Sequence, residues 1–202
     1  IWMKDYLQLD GLSYKFIPIK TKNGGSMFDM GKIYTDSMYK KVLGWDWTEI
    51  NSKDIYLDIE SRKNSISFRN NLLRLAEALI TENKPKKAEE ILDLSLSEMP
   101  IEDYGHYGIC LGYPEYYYKI NKVEKAREIS EKLIRIFQEK LIYYSRFDEA
   151  WLNLTFDEIE RNLNMYRSVL RDVDTYEKDK TYIKNTEEDF INHVKLFQNL
   201  ME

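Results

Sequence analysis

The segment from Arg69 to Leu133 constrains this chain more than any other. It reads RNNLLRLAEALITENKPKKAEEILDLSLSEMP, then the connector IEDYGH, then YGICLGYPEYYYKINKVEKAREISEKL. Leu72, Leu75, Ala76 and Leu79 recur at the spacing of one helix face. The pattern breaks near Asn83 to Pro85, resumes with Ala88, Leu92 and Ser95, and stops at Pro100. Ala126 then follows Tyr117 at nine residues, the interval at which Ala88 follows Leu79. A helical hairpin followed by a variant of itself must stack, because one such unit cannot bury its apolar face alone.

These offsets match the tetratricopeptide template of two helices, small residues where they cross and a closing proline. The first repeat is predicted at roughly 67–82 and 85–98. The second has its first helix near 107–119 and its second from Lys122. The period is 38 residues against about 34 in the template, and the excess falls in the connector. Pro114 inside a first helix predicts a kink or a late start. Val123, Ala126, Ile129, Leu133, Ile136, Phe137, Leu141 and Tyr144 carry the second helix of repeat two well past its expected end. Thr155-Phe156-Asp157-Glu158 reads as a capping box opening a helix near 156–176 through Ile159, Leu163, Tyr166 and Leu170. After a charged break at Glu177 to Lys180, a last helix is expected from about 187 to the end, with Phe190, Val194, Phe197 and Leu200. These two helices would form an antiparallel hairpin capping the open end of the solenoid.

Ahead of the repeats, Leu12, Tyr14 and Phe16 alternate with Ser13 and Lys15 after the Asp10-Gly11 turn, which predicts a half-buried strand. Pro18 places that strand at an edge or at its end. Asn23-Gly24-Gly25-Ser26 reads as a plain turn, since it lacks the Lys-Ser/Thr of a phosphate loop. Thr35 is expected to cap a helix over Asp36 to Leu43, with Gly44 as its stop, and Asp36 early with Lys40 and Lys41 late suits the helix dipole. Trp45 and Trp47 follow, and Ile55, Leu57 and Ile59 alternate as a second strand. The expected fold is mostly α: a small α+β lead-in over 1–62, tetratricopeptide-like helical hairpin repeats over 63–147, and a C-terminal helical hairpin cap over 148–202.

Composition narrows the chemistry. Of 202 residues 43% are apolar, enough for a core, and the net charge of −5 is mixed along the chain with no basic stripe. A nucleic-acid partner is therefore not expected. Cys110 is the one cysteine and sits among Tyr107, Gly108, Leu111 and Tyr113, so it reads as a small buried residue. No apolar run approaches a membrane span. Because Ile1 lies within apparent structure, the chain is expected to be cut from a longer polypeptide.

His106 and His193 have no carboxylate or cysteine at metal-ligand spacing, and a serine or cysteine nucleophile would need a histidine base held by an acid. Glu89-Glu90 and Glu187-Glu188-Asp189 read as solvated helix faces. No catalytic, cofactor-binding or metal-binding residue is assigned. The unusual local feature is aromatic: Tyr104, Tyr107, Tyr113, Tyr116, Tyr117 and Tyr118 crowd one hairpin, with Tyr143 and Tyr144 downstream. Tyrosines suit glycans, peptides or a wet protein interface, or else half of them are core and the rest decorate a thick hairpin. If the repeats form a groove, their first helices line it, which places Asn70, Glu77 and Thr81 of repeat one and Glu115 and Tyr118 of repeat two on its wall.

As a whole, the chain resembles the C-terminal soluble region of a bacterial family of polytopic membrane proteins of unknown function. The residues that carry the resemblance are Tyr6-Leu7, Asp10-Gly11-Leu12-Ser13-Tyr14 through Pro18-Ile19-Lys20, Tyr56-Leu57-Asp58, Arg69 through Leu75-Ala76-Glu77-Ala78-Leu79-Ile80, Lys87-Ala88, Met99-Pro100 and Glu124-Lys125-Ala126. It covers roughly residues 4–145. In that family an N-terminal half spans the membrane many times and resembles the GT-C glycosyltransferases and protein O-mannosyltransferases. The resemblance implies an extramembrane tail of such an inner-membrane protein, on the periplasmic side and joined to the membrane through its N-terminal part. The catalytic acid of GT-C enzymes lies in the membrane half, so no catalytic position carries over. The tail would bind an acceptor protein, a glycan or a partner subunit. The alternative is a free-standing tetratricopeptide-type adaptor that binds peptides through the tyrosine-rich groove. Asp36-Ser37-Met38 resembles the short O-glycosylation acceptor pattern of such bacteria.

Overall fold

A computed structural model of the chain describes residues 3–21, 30–47 and 56–198. The chain is mostly helical, with a small three-stranded sheet near its N-terminus. It forms two compact units, Ile1–Cys110 and Leu111–Glu202, and the division falls inside the segment 63–147 expected to hold both repeats.

In the first unit, β1 (Leu7–Asp10) and β2 (Ser13–Phe16) pair antiparallel with Leu9 opposite Tyr14. The two-residue turn between them has Gly11 at φ +81, the positive φ at the first central position that a type II′ hairpin turn requires. A short β3 (Lys32–Ile33) lies parallel to β1, giving the order β2-β1-β3. The strand expected at 12–16 is present but not half-buried. It is the sheet edge, with Tyr14 and Phe16 exposed, and the buried strand residues are Leu9 and Asp10 of β1. Asp10 pairs there through Oδ2 with Lys15 and Lys41, while its buried Oδ1 makes no hydrogen bond.

Helix α1 (Thr35–Leu43) stops at Gly44 as expected, but Tyr34 occupies its N-cap and makes no side-chain cap bond. The Thr35 hydroxyl is spent on Glu82, while Lys84 and Lys87 reach Asp36 at 3.1 and 2.8 Å. These bonds tie α1 to the hairpin of α2 (Ile59–Thr81) and α3 (Pro85–Glu98). Helix α2 begins eight residues ahead of the predicted start, because the Asp58 carboxylate accepts the Ser61 N–H at 2.8 Å and caps it. The second strand expected around Ile55, Leu57 and Ile59 is therefore not formed in the described residues. Leu57 is irregular and Ile59 opens α2, while Ile55 lies outside the described residues, as does the turn at Asn23 to Ser26. The lead-in docks on α2 through Phe68, whose ring lies 5.9 and 6.1 Å from Trp45 and Trp47, and through Asn71, which donates to the Gly11 carbonyl at 2.9 Å.

Past Pro100 the connector forms two single turns, α4 (Ile101–Tyr104) and α5 (Tyr107–Cys110). Arg69 of α2 is fully buried beneath them. Its guanidinium donates to the carbonyls of Gly105 (2.7 Å), Met99 (2.8 Å) and Pro100 (3.1 Å).

The second unit holds the other hairpin, α6 (Gly112–Lys119) and α7 (Val123–Tyr144). Pro114 sits in the first turn of α6, so the helix starts late, as its missing N–H demands. The two hairpins close identically. Asn83 (φ +57) and Asn121 (φ +61) take the left-handed conformation. Lys84 N–H then donates to the Leu79 carbonyl at 2.8 Å, and Lys122 N–H to the Tyr117 carbonyl at 2.9 Å. Asn83 and Asn121 N–H groups reach Ile80 and Tyr118, completing a Schellman turn in each. The crossing alanines Ala88 and Ala126 are both fully buried.

After α7 come α8 (Glu149–Leu154), α9 (Phe156–Tyr176) and α10 (Lys180–Lys195). Leu133, Phe137 and Leu141 of α7 and Ile159, Tyr166, Val169 and Val173 of α9 are buried where these helices pack. Each such side chain contributes about 1.5–3 kcal/mol before entropy. The capping box at Thr155 is not made. The Thr155 hydroxyl donates backward to the Trp151 carbonyl at 2.9 Å, finishing α8 instead of starting α9. The last helix begins at Lys180, seven residues before its predicted start, because Asp179 caps it by accepting the Thr181 and Tyr182 N–H groups. Tyr166 meets Phe190 edge to face at 5.0 Å, so α9 and α10 form the expected C-terminal hairpin.

Two outcomes test this account. Arg69→Ala should cost about 3 kcal/mol or more in urea unfolding, since a fully buried side chain is removed and three carbonyls lose its hydrogen bonds. Asn83→Gly and Asn121→Gly should stay within a few tenths of a kcal/mol of the parent chain, whereas Asn→Val at either site should cost about 1–2 kcal/mol. Equal effects of glycine and valine would contradict the left-handed turns.

Candidate functional site

The residues predicted to line a groove fall into both units. Asn70, Glu77 and Thr81 belong to α2 in the first. Asn70 is half-buried, Glu77 is exposed, and the exposed Thr81 turns its hydroxyl onto the Glu77 carbonyl at 2.9 Å. Glu115 and Tyr118 belong to α6 in the second, where α9 covers their face. Glu115 pairs with Lys119 at 2.6 Å. Tyr118 is 5% exposed, and its ring stacks on Tyr176 at 5.5 Å. Burial pushes its hydroxyl up to about 12. Tyr118 is thus core rather than groove wall, and so are Tyr104, Tyr113 and Tyr117. Within Asp36-Ser37-Met38, Met38 is fully buried and Asp36 is held by two lysines.

Besides the exposed Tyr14, Phe16 and Tyr56 of the first unit, the second unit carries a group of exposed aromatics of its own. Asp148 caps α8 by accepting the Trp151 N–H at 3.0 Å, which starts a new helix just after α7 ends. Tyr143, Tyr144, Phe147 and Trp151 consequently form a ladder of edge-to-face rings, with centroids 5.0 Å apart for Tyr143–Phe147, 5.8 Å for Tyr144–Phe147 and 6.4 Å for Phe147–Trp151. These rings are held by one another but not covered: Tyr143 is 59% exposed, Trp151 57% and Leu154 76%. Exposed aromatics grouped in this way make the ladder a candidate interaction surface.

The exposed Phe156 lines a cleft between α9 and α10. Ile159, Leu163, Val194 and Phe197 complete its apolar walls, and its volume is about 180 Å³. Glu160, Asn164 and Arg167 stand on its rim. Glu160 and Asn164 also border a wider, shallower polar depression along α9 with Arg161 and Ser168. Phe147, Trp151, Leu154 and the α9 rim were not singled out as a site from the sequence. The available clue was a short apolar helix, capped by Asp148, with no partner face of its own.

Cys110 is buried, which pushes its thiol up to about 11. His193 turns Nδ1 to the Asp189 carbonyl at 2.7 Å, and burial with the nearby Arg69 charge lowers His106. Among the described residues no group of three His, Cys, Asp or Glu side chains could hold a metal ion. No helix among them is long and apolar enough to cross a membrane. Compared with protein-family models, with the curated proteins and with the solved structures, the chain matches none.

The packing of α6 on α9 leaves one titration to test. Burial raises the Asp172 carboxyl to about 6, Glu115 adds to the effect, and Arg171 and Lys119 oppose it. The folded chain therefore keeps a proton that the unfolded chain gives up near 3.8. Stability should fall as pH rises from about 3.8 to about 6. Asp172→Asn should flatten that slope and raise the urea midpoint at neutral pH; a slope identical to the parent's would refute the assignment.

Proposed function

We propose that this chain is a non-catalytic binding domain that engages a protein partner through the aromatic ledge and cleft of its second unit. We place it as a periplasmic accessory domain of a membrane glycosyltransferase-like protein, where the partner is an acceptor protein or a companion subunit. The observation that carries the binding role is the ring ladder at Tyr143, Phe147 and Trp151, ordered by its own edge-to-face contacts yet more than half exposed at Tyr143 and Trp151. Pre-ordered aromatics lose little entropy on binding and supply large contact area. Support for the glycosyltransferase context is the sequence likeness over roughly residues 4–145. The adaptor reading with a tyrosine-rich groove is weaker, since Tyr113, Tyr117 and Tyr118 are buried.

The test is a parent protein carrying Trp151→Ala and Leu154→Ser at unchanged cellular level. Both side chains are exposed, so the fold should survive, which circular dichroism of the domain checks. A subset of glycopeptides should fall several-fold in a quantitative glycoproteome. An unchanged glycoproteome would overturn the reading.

A further inference from the structure

We infer that the cleft between α9 and α10 takes one large apolar side chain of an extended partner peptide, with a basic peptide residue at Glu160 and an acidic one at Arg167. This rests on the binding-domain reading and gives it a ligand class.

Size excludes most alternatives. The cleft holds about 180 Å³, close to the roughly 150 Å³ of a Leu/Ile/Phe-lined cavity that binds a single benzene. Cofactor and drug-sized sites run to about 300–1,000 Å³. One phenylalanine or leucine side chain fits; a nucleotide does not. The walls are apolar, with Ile159 and Phe197 each only 1% exposed. A sugar ring inside would leave hydroxyls without partners, and an acyl chain would leave most of its methylenes outside.

The rim supplies the polarity. Glu160, Asn164 and Arg167 are four and three residues apart and share one face of α9. From first to last is about 10 Å of helix at 1.5 Å per residue, the length of roughly three residues of extended chain. The helix neutralises charge elsewhere, since Arg161 pairs with Glu158 at 2.8 Å. Glu160 and Arg167 have no ion-pair partner among the described residues, and Asn164 makes no hydrogen bond there. Arg167 lies 5.7 Å from the Phe190 ring centroid, which steers it toward the α10 side of the cleft. An amide between two opposite charges, above an apolar socket, matches a peptide backbone with an anchor residue between a base and an acid three positions apart.

The probes are two blocked hexapeptides, acetyl-Gly-Lys-Phe-Gly-Glu-Gly-amide and its charge-swapped form with Glu and Lys exchanged, titrated into the full 202-residue chain and followed by amide shifts. One should perturb residues around Asn164 and Val194 with a Kd of about 1 mM or tighter. Replacing its Phe by Ala should weaken binding by about tenfold or more. The double variant Glu160→Lys/Arg167→Glu, exposed and so expected to fold, should invert the preference between the two peptides. Equal binding of both peptides to both proteins overturns the inference. So does a stronger response to decanoate, which would indicate an acyl occupant, or shifts that follow protein concentration alone, which would indicate a second copy. If the peptides fail while the Trp151 and Leu154 substitutions still change the glycoproteome, only this inference falls.

Discussion

Arg69 brings a full positive charge into the interior of the first unit with no carboxylate beside it among the described residues, and the unit holds because backbone dipoles replace the lost water. Three carbonyls, at Met99, Pro100 and Gly105, accept from its two terminal nitrogens, and the Tyr104 ring centroid lies 5.7 Å from the guanidinium. An unpaired buried ion would cost several kcal/mol. Spread over three acceptors, the charge instead recruits a segment that regular structure cannot satisfy. These carbonyls sit where α3 has ended and no continuous helix has begun; Pro100 keeps one local bond, from the Tyr104 N–H at 3.2 Å, and Arg69 adds the donors that the short turns do not supply. The residues by which the 38-residue period exceeds the template therefore have a fixed course: a single turn, Gly105 and His106 at positive φ, and another turn.

The duplication was readable because it rests on local chemistry repeated in place. Leu79 and Tyr117 pack where Ala88 and Ala126 cross, and the asparagine that turns each hairpin needs only its own conformation. Failures came where one side chain could serve two neighbours. Thr155 has the spacing of a capping box, but α8 ends directly before it and its carbonyls claim the hydroxyl. Thr35 is likewise drawn to Glu82. Ile55, Leu57 and Ile59 alternate as a strand would, yet the Asp58 carboxylate caps a helix at Ile59, and one strong local bond outranks a three-residue pattern.

Aromatic residues show the limit most clearly. Tyr118 and Tyr143 both sit in helices amid other tyrosines, and composition cannot separate them. What separates them is the helix that packs opposite. Tyr176 of α9 covers Tyr118, whereas Tyr143 falls at the end of α7, where the chain turns into α8. The Asp148 cap then adds Phe147 and Trp151 to the same ledge without covering it. Exposure is a tertiary property, so Tyr104, Tyr113, Tyr117 and Tyr118 of the cluster are core, Tyr107 and Tyr116 are half-buried, and Tyr143 downstream is surface.

In the proposed binding mode, a single-residue socket and an exposed ring ladder divide recognition between specificity and area. The socket of about 180 Å³ gains only what one buried side chain yields, about 1.5–3 kcal/mol, while ordering a flexible peptide opposes binding at each residue fixed. Alone it would distinguish partners without holding them. The ladder at Tyr143, Phe147 and Trp151 is already ordered by its own contacts, so covering it adds contact area at little further cost in side-chain freedom. A partner long enough to reach from one to the other would combine the charge selection of the α9 rim with the area of the ledge.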